Sequence, residues 1–188
     1  MDSLKNKIVA FAAMLALAAT AAVAAPVKTS EPGLGRRQLL KKVRSELVTL
    51  PYYGVFDNLA YQVEGGTVTL YGQVVRPSTR EDAGRRVAKL LEVERVINNI
   101  EVLPLSPLDD ALRVRTYRTV FGTANLHRYA LGANPAIHII VNRGHVTLEG
   151  MVANEGDKRL AYIAARGVTG AFSVTNNLRA ESGGRRAR

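Results

Sequence analysis

The residues best suited to binding chemistry are cations interleaved with aromatics. Arg113, Arg115 and Arg118 stand within one helical stretch with Tyr117 and Phe121. A helix that contacts a membrane needs cations for anionic headgroups and aromatic rings for the interface. Each cation near such a surface contributes on the order of 1 kcal/mol, so a cluster matters. The same spacing also suits an ordinary core helix, with Tyr117 and Phe121 turned inward and the arginines solvated. Arg36, Arg37, Lys41, Lys42 and Arg44 make a similar basic stretch nearer the N-terminus.

Catalytic groupings are poorly represented. The three histidines, His127, His138 and His145, do not have the i, i+4 helical spacing of a zinc site. Ser173 and Ser182 lack a nucleophile-elbow sequence. The cysteine count is zero, which excludes disulfides, thiolate metal sites, a nucleophilic Cys and a lipidated Cys. Phosphate-cradling Gly-rich loops are also missing. The reading is a binding protein with no catalytic residue, no metal and no cofactor.

The elements that would position a binding surface come from an internal repeat. Residues 63–102 align with 141–180 at a constant offset of 78. In the strongest block, Val63 to Val74 against Val141 to Val152, seven of twelve positions match. Further on, Val96-Ile97-Asn98-Asn99-Ile100 answers Val174-Thr175-Asn176-Asn177-Leu178. Each strong block reads as a β-hairpin, with Val68 and Leu70 alternating against Thr67 and Thr69 at the period of a half-buried strand. Gly66 and Gly144 fall in the turns, where a left-handed φ is expected. Gly72 and Gly150 lie inside a strand and mark a bulge or the close approach of another backbone. His138 should pair across the second hairpin with Glu149 if its turn centres on Arg143-Gly144.

Helices flank each hairpin. In copy one, Ser78 and Thr79 with Glu81 and Asp82 suggest a capping box, followed by an apolar face of Ala83, Val87, Leu90 and Leu91. In copy two, Asp157 is the expected cap before Ala161, Ala165 and Val168. That helix should end near Gly167 to Gly170, and Phe172 to Ala180 should resume as strand. The earlier helices show Leu40, Val43 and Leu47 in copy one and Ala111, Val114, Tyr117 and Phe121 in copy two. The order is α-β-β-α-β, twice, an α+β class. Copy two carries a turn-rich insertion around Gly132-Ala133-Asn134-Pro135. The short, proline-bounded link Pro104 to Pro107 predicts copies held close together.

At the N-terminus, Lys5 and Lys7 precede an apolar run from Ile8 to Ala19 and then Ala22-Val23-Ala24. This reads as a secretory signal peptide over residues 1–24, cleaved after Ala24. The apolar run is shorter than the roughly 20 residues that span a bilayer. The remaining organisation is a linker over 25–35, a first domain over 36–103, a linker over 104–107, a second domain over 108–181 and a basic tail over 182–188. The formal charge of +10 falls to +9 once Lys5, Lys7 and Asp2 are removed. Export makes anionic lipid and envelope polymers better partners for that charge than nucleic acid.

These residues resemble the BON domain family. Its hallmark is a helix, then V-x-x-G-x-V-x-L-x-G-x-V, a second helix and a G-V-x-x-V-x-N-x-L ending. Copy two matches through Val141, Gly144, Val146, Leu148, Gly150 and Val152, then Gly170-Ala171, Val174, Asn176 or Asn177 and Leu178. Copy one matches the hairpin, but Glu92-Val93 stands where the family has Gly-Val. The resemblance covers about residues 36–181. It implies small three-stranded mixed sheets with two helices on one face, in envelope proteins that attach to phospholipid or respond to osmotic stress. The resulting expectation is a periplasmic protein, peripheral rather than integral, that binds an anionic phospholipid surface. A chaperone-like role toward unfolded envelope proteins is the alternative.

Overall fold

The computed structural model describes residues 32–132 and 134–181. The expected signal peptide, most of the first linker and the basic tail lie outside the described residues. Helix α1 (Pro32–Val48) begins inside the stretch read as linker. Strands β1 (Asn58–Glu64) and β2 (Thr67–Val74) form the first hairpin, followed by α2 (Pro77–Val87) and β3 (Arg95–Val102). The second copy comprises α3 (Pro107–Gly122), a short 3-10 turn (His127–Ala130), β4 (Ile137–Asn142), β5 (His145–Val152), α4 (Glu155–Arg166), β6 (Ser173–Asn176) and β7 (Arg179–Ala180).

Each copy is a mixed sheet, an antiparallel hairpin whose second strand pairs parallel with the strand that follows the helix. The first sheet runs β1-β2-β3 and the second β4-β5-β6, with β7 continuing alongside β5. A parallel return needs a crossover, and α2 and α4 supply it. Both helices of a copy cover the same sheet face. Leu39, Val43 and Leu47 of α1 and Ala83 and Val87 of α2 meet Val63, Val68, Leu70, Val74 and Ile100 in the first core. Leu112 and Val120 of α3 and Ala161 and Ala165 of α4 meet Ile137, Ile139, Val146, Leu148 and Leu178 in the second.

Several local expectations change. Helix α2 starts one residue before the anticipated capping box. Pro77 occupies the first turn after Arg76, which makes no side-chain cap, and Thr79 is buried. Proline presets the first helical φ and has no amide to orphan, so it starts the helix by itself. Because α2 ends at Val87, Leu91 lies past it and is 99% exposed. In copy two the cap is Asn154 rather than Asp157: Asn154 Oδ1 accepts from the Asp157 amide at 2.8 Å, and Asn154 Nδ2 donates to Asp157 Oδ2 at 3.0 Å. The final strand of copy two is broken into β6 and β7 at Asn177-Leu178.

The hairpin glycines are held by different constraints from the ones expected. In copy two, Arg143 (φ 51°) and Gly144 (φ 79°) are both left-handed, but in copy one that conformation falls on Gly65 (φ 57°) and not on Gly66. What Gly66 and Gly144 share is a neighbour. A Cβ at Gly66 would come within 2.6 Å of the Glu94 side chain, and one at Gly144 within 2.6 Å of the Phe172 ring. Glu94 and Phe172 are equivalent in the repeat, and their amides donate to the Gly66 and Gly144 carbonyls, both at 2.8 Å. Gly72 (φ 118°) and Gly150 (φ 120°) are under a stricter demand. A Cβ there would lie 2.0 Å from the Asn58 carbonyl oxygen and 2.1 Å from that of Ala136.

Alanine at Gly72 or Gly150 therefore meets both a left-handed φ and a rigid backbone atom. Each substitution is expected to lower stability by about 2 kcal/mol or more, read as a drop in the urea midpoint. Gly35→Ala, on open helix surface with nothing within 4 Å, should be neutral or slightly stabilising.

Candidate functional site

Helix α3 was expected to carry the contact surface, and its cap sets its phase. Ser106 Oγ accepts from the Asp109 amide at 3.2 Å, and Pro107 opens the first turn. The Asp109 carboxylate reaches the second hairpin, accepting from the Arg143 and Gly144 amides, both at 2.8 Å. With α3 pinned there, Leu112, Arg113, Thr116, Val120 and Phe121 face inward. Of the face expected from spacing, Phe121 enters the core, whereas Ala111, Val114 and Tyr117 lie on the exposed side.

This placement divides the five candidate lipid-contact residues. Arg113 is 3% exposed: one guanidinium nitrogen donates to the Val141 carbonyl at 2.7 Å and another pairs with Asp110. Phe121 is 7% exposed and belongs to the second core. Neither is available to a surface, because Arg113 satisfies a strand-edge carbonyl and Phe121 fills apolar volume. Tyr117 is partly covered, its ring 4.9 Å from Phe121 and edge-on to Phe56 of copy one at 6.2 Å. Arg115 and Arg118 remain exposed.

Helix α4 packs beside α3 and adds residues that spacing did not single out. Arg159, Ile163 and Arg166 share one exposed face, Ile163 being 60% exposed. Arg166 stacks over the Tyr162 ring at 5.7 Å. Beyond the helix, Gly170 (φ 95°) lets the chain turn beneath Arg115, whose guanidinium lies 3.0 Å from where a Cβ would stand. Phe172 follows, 80% exposed. The strand expected from Phe172 begins only at Ser173, which leaves the Phe172 ring outside the core, edge-on to His145 at 6.0 Å.

The copies meet through a turn of copy one. Gly54 to Asp57 closes with the Asp57 amide donating to the Gly54 carbonyl at 3.1 Å, and Val55 offers its carbonyl to the Ile139 amide on β4 at 2.7 Å. Val55 and Phe56 pack against the second core. His138 is buried at this contact, its Nδ1 3.2 Å from the Gly54 carbonyl and its ring 5.6 Å from Tyr53. Burial holds its imidazole below the ordinary value, against the opposing pull of the Gly54 carbonyl, Asp57 and Glu149. Burial likewise raises the Asp57 carboxyl above its ordinary value, although the Val75 and Gly54 amides donate to it. His138 stands opposite Glu149 in the register, as its spacing predicted.

The open face of the second sheet carries a polar cleft of about 480 Å³, lined by Gln73 of copy one with Asn142, Arg143, His145, Glu149 and Asn177. His145 Nδ1 lies 2.7 Å from Ser173 Oγ, whereas Glu149 accepts from Asn177 at 2.6 Å. The histidine thus has a hydroxyl partner but no carboxylate in that network to orient it as a base. Among the described residues, no three His, Asp or Glu side chains group closely enough to hold a metal ion. No helix among the described residues is long and apolar enough to cross a membrane.

The sequence profile of the BON domain matches residues 37–104 and 124–182, more than half of the chain. The chain belongs to the BON domain family. The two matched segments correspond to two tandem BON copies, and each copy has the α+β architecture implied by its residues. The family is associated with phospholipid binding and with envelope or osmotic stress, and it is not known for enzymatic activity. No curated protein matches the chain. Among solved structures, the C-terminal domain of CdsD, the structural protein of the type III secretion system of Chlamydia trachomatis, aligns with a TM-score of 0.31 and 11% identity. That alignment covers 77% of this chain and 98% of the other. A second structure of CdsD aligns with a TM-score of 0.28 and 14% identity, covering 77% and 94% respectively.

Two outcomes follow from these placements. Arg113→Ala should cost about 1–3 kcal/mol by leaving the Val141 carbonyl unpaired, whereas Arg115→Ala should stay within about 0.5 kcal/mol, both read from urea midpoints. Stability should also fall on acidification from above the ordinary histidine value of 6.5. The unfolded imidazole takes a proton there that the folded one resists, so the contribution of neutral His138 is full above that pH and is lost below it. His138→Gln should flatten the midpoint against pH between about pH 7.5 and about pH 5.5. Asp57, raised in the fold, acts in the opposite sense and only at lower pH.

Proposed function

We propose that the protein is exported to the periplasm and binds peripherally to anionic phospholipid through the helical layer of its second BON copy. The observation that carries this reading is the shared exposure of Arg115, Arg118, Arg159 and Arg166 with Ile163 and Phe172 on adjoining elements. Cations meet headgroup phosphates, and the isolated apolar side chains enter the interface beside them. The net charge, +9 once Lys5, Lys7 and Asp2 are removed from the +10 of the full chain, adds long-range attraction to the same surface. Family membership supports the class of ligand. Arg113 and Phe121 keep structural roles in this reading, and Arg115 and Arg118 of the original five candidates form the contact with Tyr117 at its margin.

Liposome co-sedimentation tests the proposal. Binding should favour anionic over zwitterionic vesicles and weaken with added salt. At about 1 kcal/mol per cation, each single Arg→Gln change at positions 115, 118, 159 or 166 should weaken binding about fivefold. Phe172→Ser should also weaken binding while leaving the urea midpoint nearly unchanged. Equal affinity for zwitterionic vesicles, or binding indifferent to salt, would sink the reading.

A further inference from the structure

Each sheet presents a hairpin strand at its edge, β1 in copy one and β4 in copy two. On β4 the odd-numbered residues turn their backbone groups outward, because the Ile139 amide donates to Val55 and the Val141 carbonyl accepts from Arg113. The repeat offset maps Ile139 onto Tyr61 and Val141 onto Val63. Strand β1 shows the same parity. Arg36 donates to the Val63 carbonyl at 3.4 Å, and Tyr61 and Val63 face Leu70 and Val68 in the hairpin register as Ile139 and Val141 face Leu148 and Val146.

The difference lies at Tyr61. Its amide is the counterpart of the Ile139 amide, yet among the described residues no carbonyl outside the sheet ladder meets it. The reason is positional: copy one supplies the Val55 turn to copy two, and no described segment does the same for copy one. This stretch of β1 opens on a groove of about 810 Å³, lined by Asn58 to Tyr61 on one side and by residues such as Pro135, Met151 and Arg179 of copy two on the other. The volume lies within the range of about 300–1,000 Å³ usual for ligand clefts.

We infer that the outer edge of β1 at Tyr61 binds an extended polypeptide segment by strand addition in this groove. The edge offers donors and acceptors alternately, at a repeat of about 7 Å for every second residue, which another extended backbone matches. A phosphate or a headgroup ester supplies acceptors only and leaves the Leu59 and Tyr61 carbonyls without a donor. The groove carries Arg44 and Arg179 with Glu149 and Glu181, so its charges balance and select neither sign of partner. Selection then falls to the backbone and to apolar contacts with Met151. The seating of Val55 on Ile139 shows the equivalent edge already holding a chain carbonyl. This site is separate from the helical layer proposed to meet lipid and stands or falls independently of it.

The test uses the full chain without lipid and a peptide of alternating valine and threonine as the probe. Binding is followed by fluorescence anisotropy, and amide exchange by NMR. N-methylation of one alternate set of probe amides should weaken binding by about tenfold or more, and methylation of the other set should have little effect. The probe should slow exchange of the Tyr61 amide. Tyr61→Pro removes that amide at an edge position where proline is tolerated, and it should abolish binding; Tyr61→Phe, which loses only the phenol bond to the Leu40 carbonyl, should retain it. If Tyr61→Pro does not fold, the methylation parity and the exchange data decide the matter. No binding, equal loss with either methylation set, an unprotected Tyr61 amide, or Tyr61 protection produced by self-association without the probe would each overturn the inference.

Discussion

The turn from Gly54 to Asp57 is the contact on which the joint arrangement of the two copies depends. The Asp57 carboxylate binds the Gly54 amide at 3.0 Å and the Val75 amide at 2.8 Å, fixing the turn to the end of β2. That places the Val55 carbonyl against β4 and the Val55 and Phe56 side chains against the second core. A buried strand-edge amide left unpaired costs about 1–3 kcal/mol, so copy one completes copy two rather than merely touching it. The burial of His138 and one wall of the 810 Å³ groove follow from this seating.

The repeat keeps its backbone requirements and changes the chemistry that meets them. The amide at the end of the second strand is capped by Asp57 in copy one, at Val75, and by the Tyr129 hydroxyl in copy two, at Ala153. Tyr129 in turn donates to Asp157 at 2.6 Å, which also accepts from Arg128. Elsewhere the solution is duplicated. Asn98 Nδ2 donates to the Arg80 carbonyl at 2.8 Å while its Oδ1 accepts from Ile100, and Asn176 does the same with Lys158 and Leu178. These asparagines tie the third strand to the helix before it, which accounts for their recurrence without any ligand.

Charge acquires meaning here only through burial. Arg113 and Arg115 are two residues apart on one helix, and a rotation of about 200° separates their directions. One guanidinium is enclosed against a carbonyl and a carboxylate, where its fork satisfies geometry that a lysine would not. The other stays exposed beside Gly170. The apolar residues follow the same division, Phe121 being enclosed by the second core and Phe172 standing clear of it.

Repetition, alternation and turn chemistry made the α-β-β-α-β order, the paired hairpins and the His138 to Glu149 register legible in the sequence. Those features depend on neighbours in sequence or on a period of two that a hairpin preserves. The demand at Gly72 and Gly150 was legible in part, since glycine inside a strand marks a bulge or the close approach of another backbone, and the approaching Asn58 and Ala136 carbonyls decide for the second. The phase of α3 was not, because two apolar stripes compete on that helix and the choice is made by Asp109 binding the turn at Arg143 and Gly144, more than 30 residues away. Nor could spacing show that Arg113 is enclosed, that Phe172 is exposed, or that, among the described residues, a chain carbonyl meets the Ile139 amide and none outside the sheet meets its equivalent at Tyr61. Such facts depend on contacts between distant segments, and they differ between the copies because the Val55 turn of copy one seats on copy two.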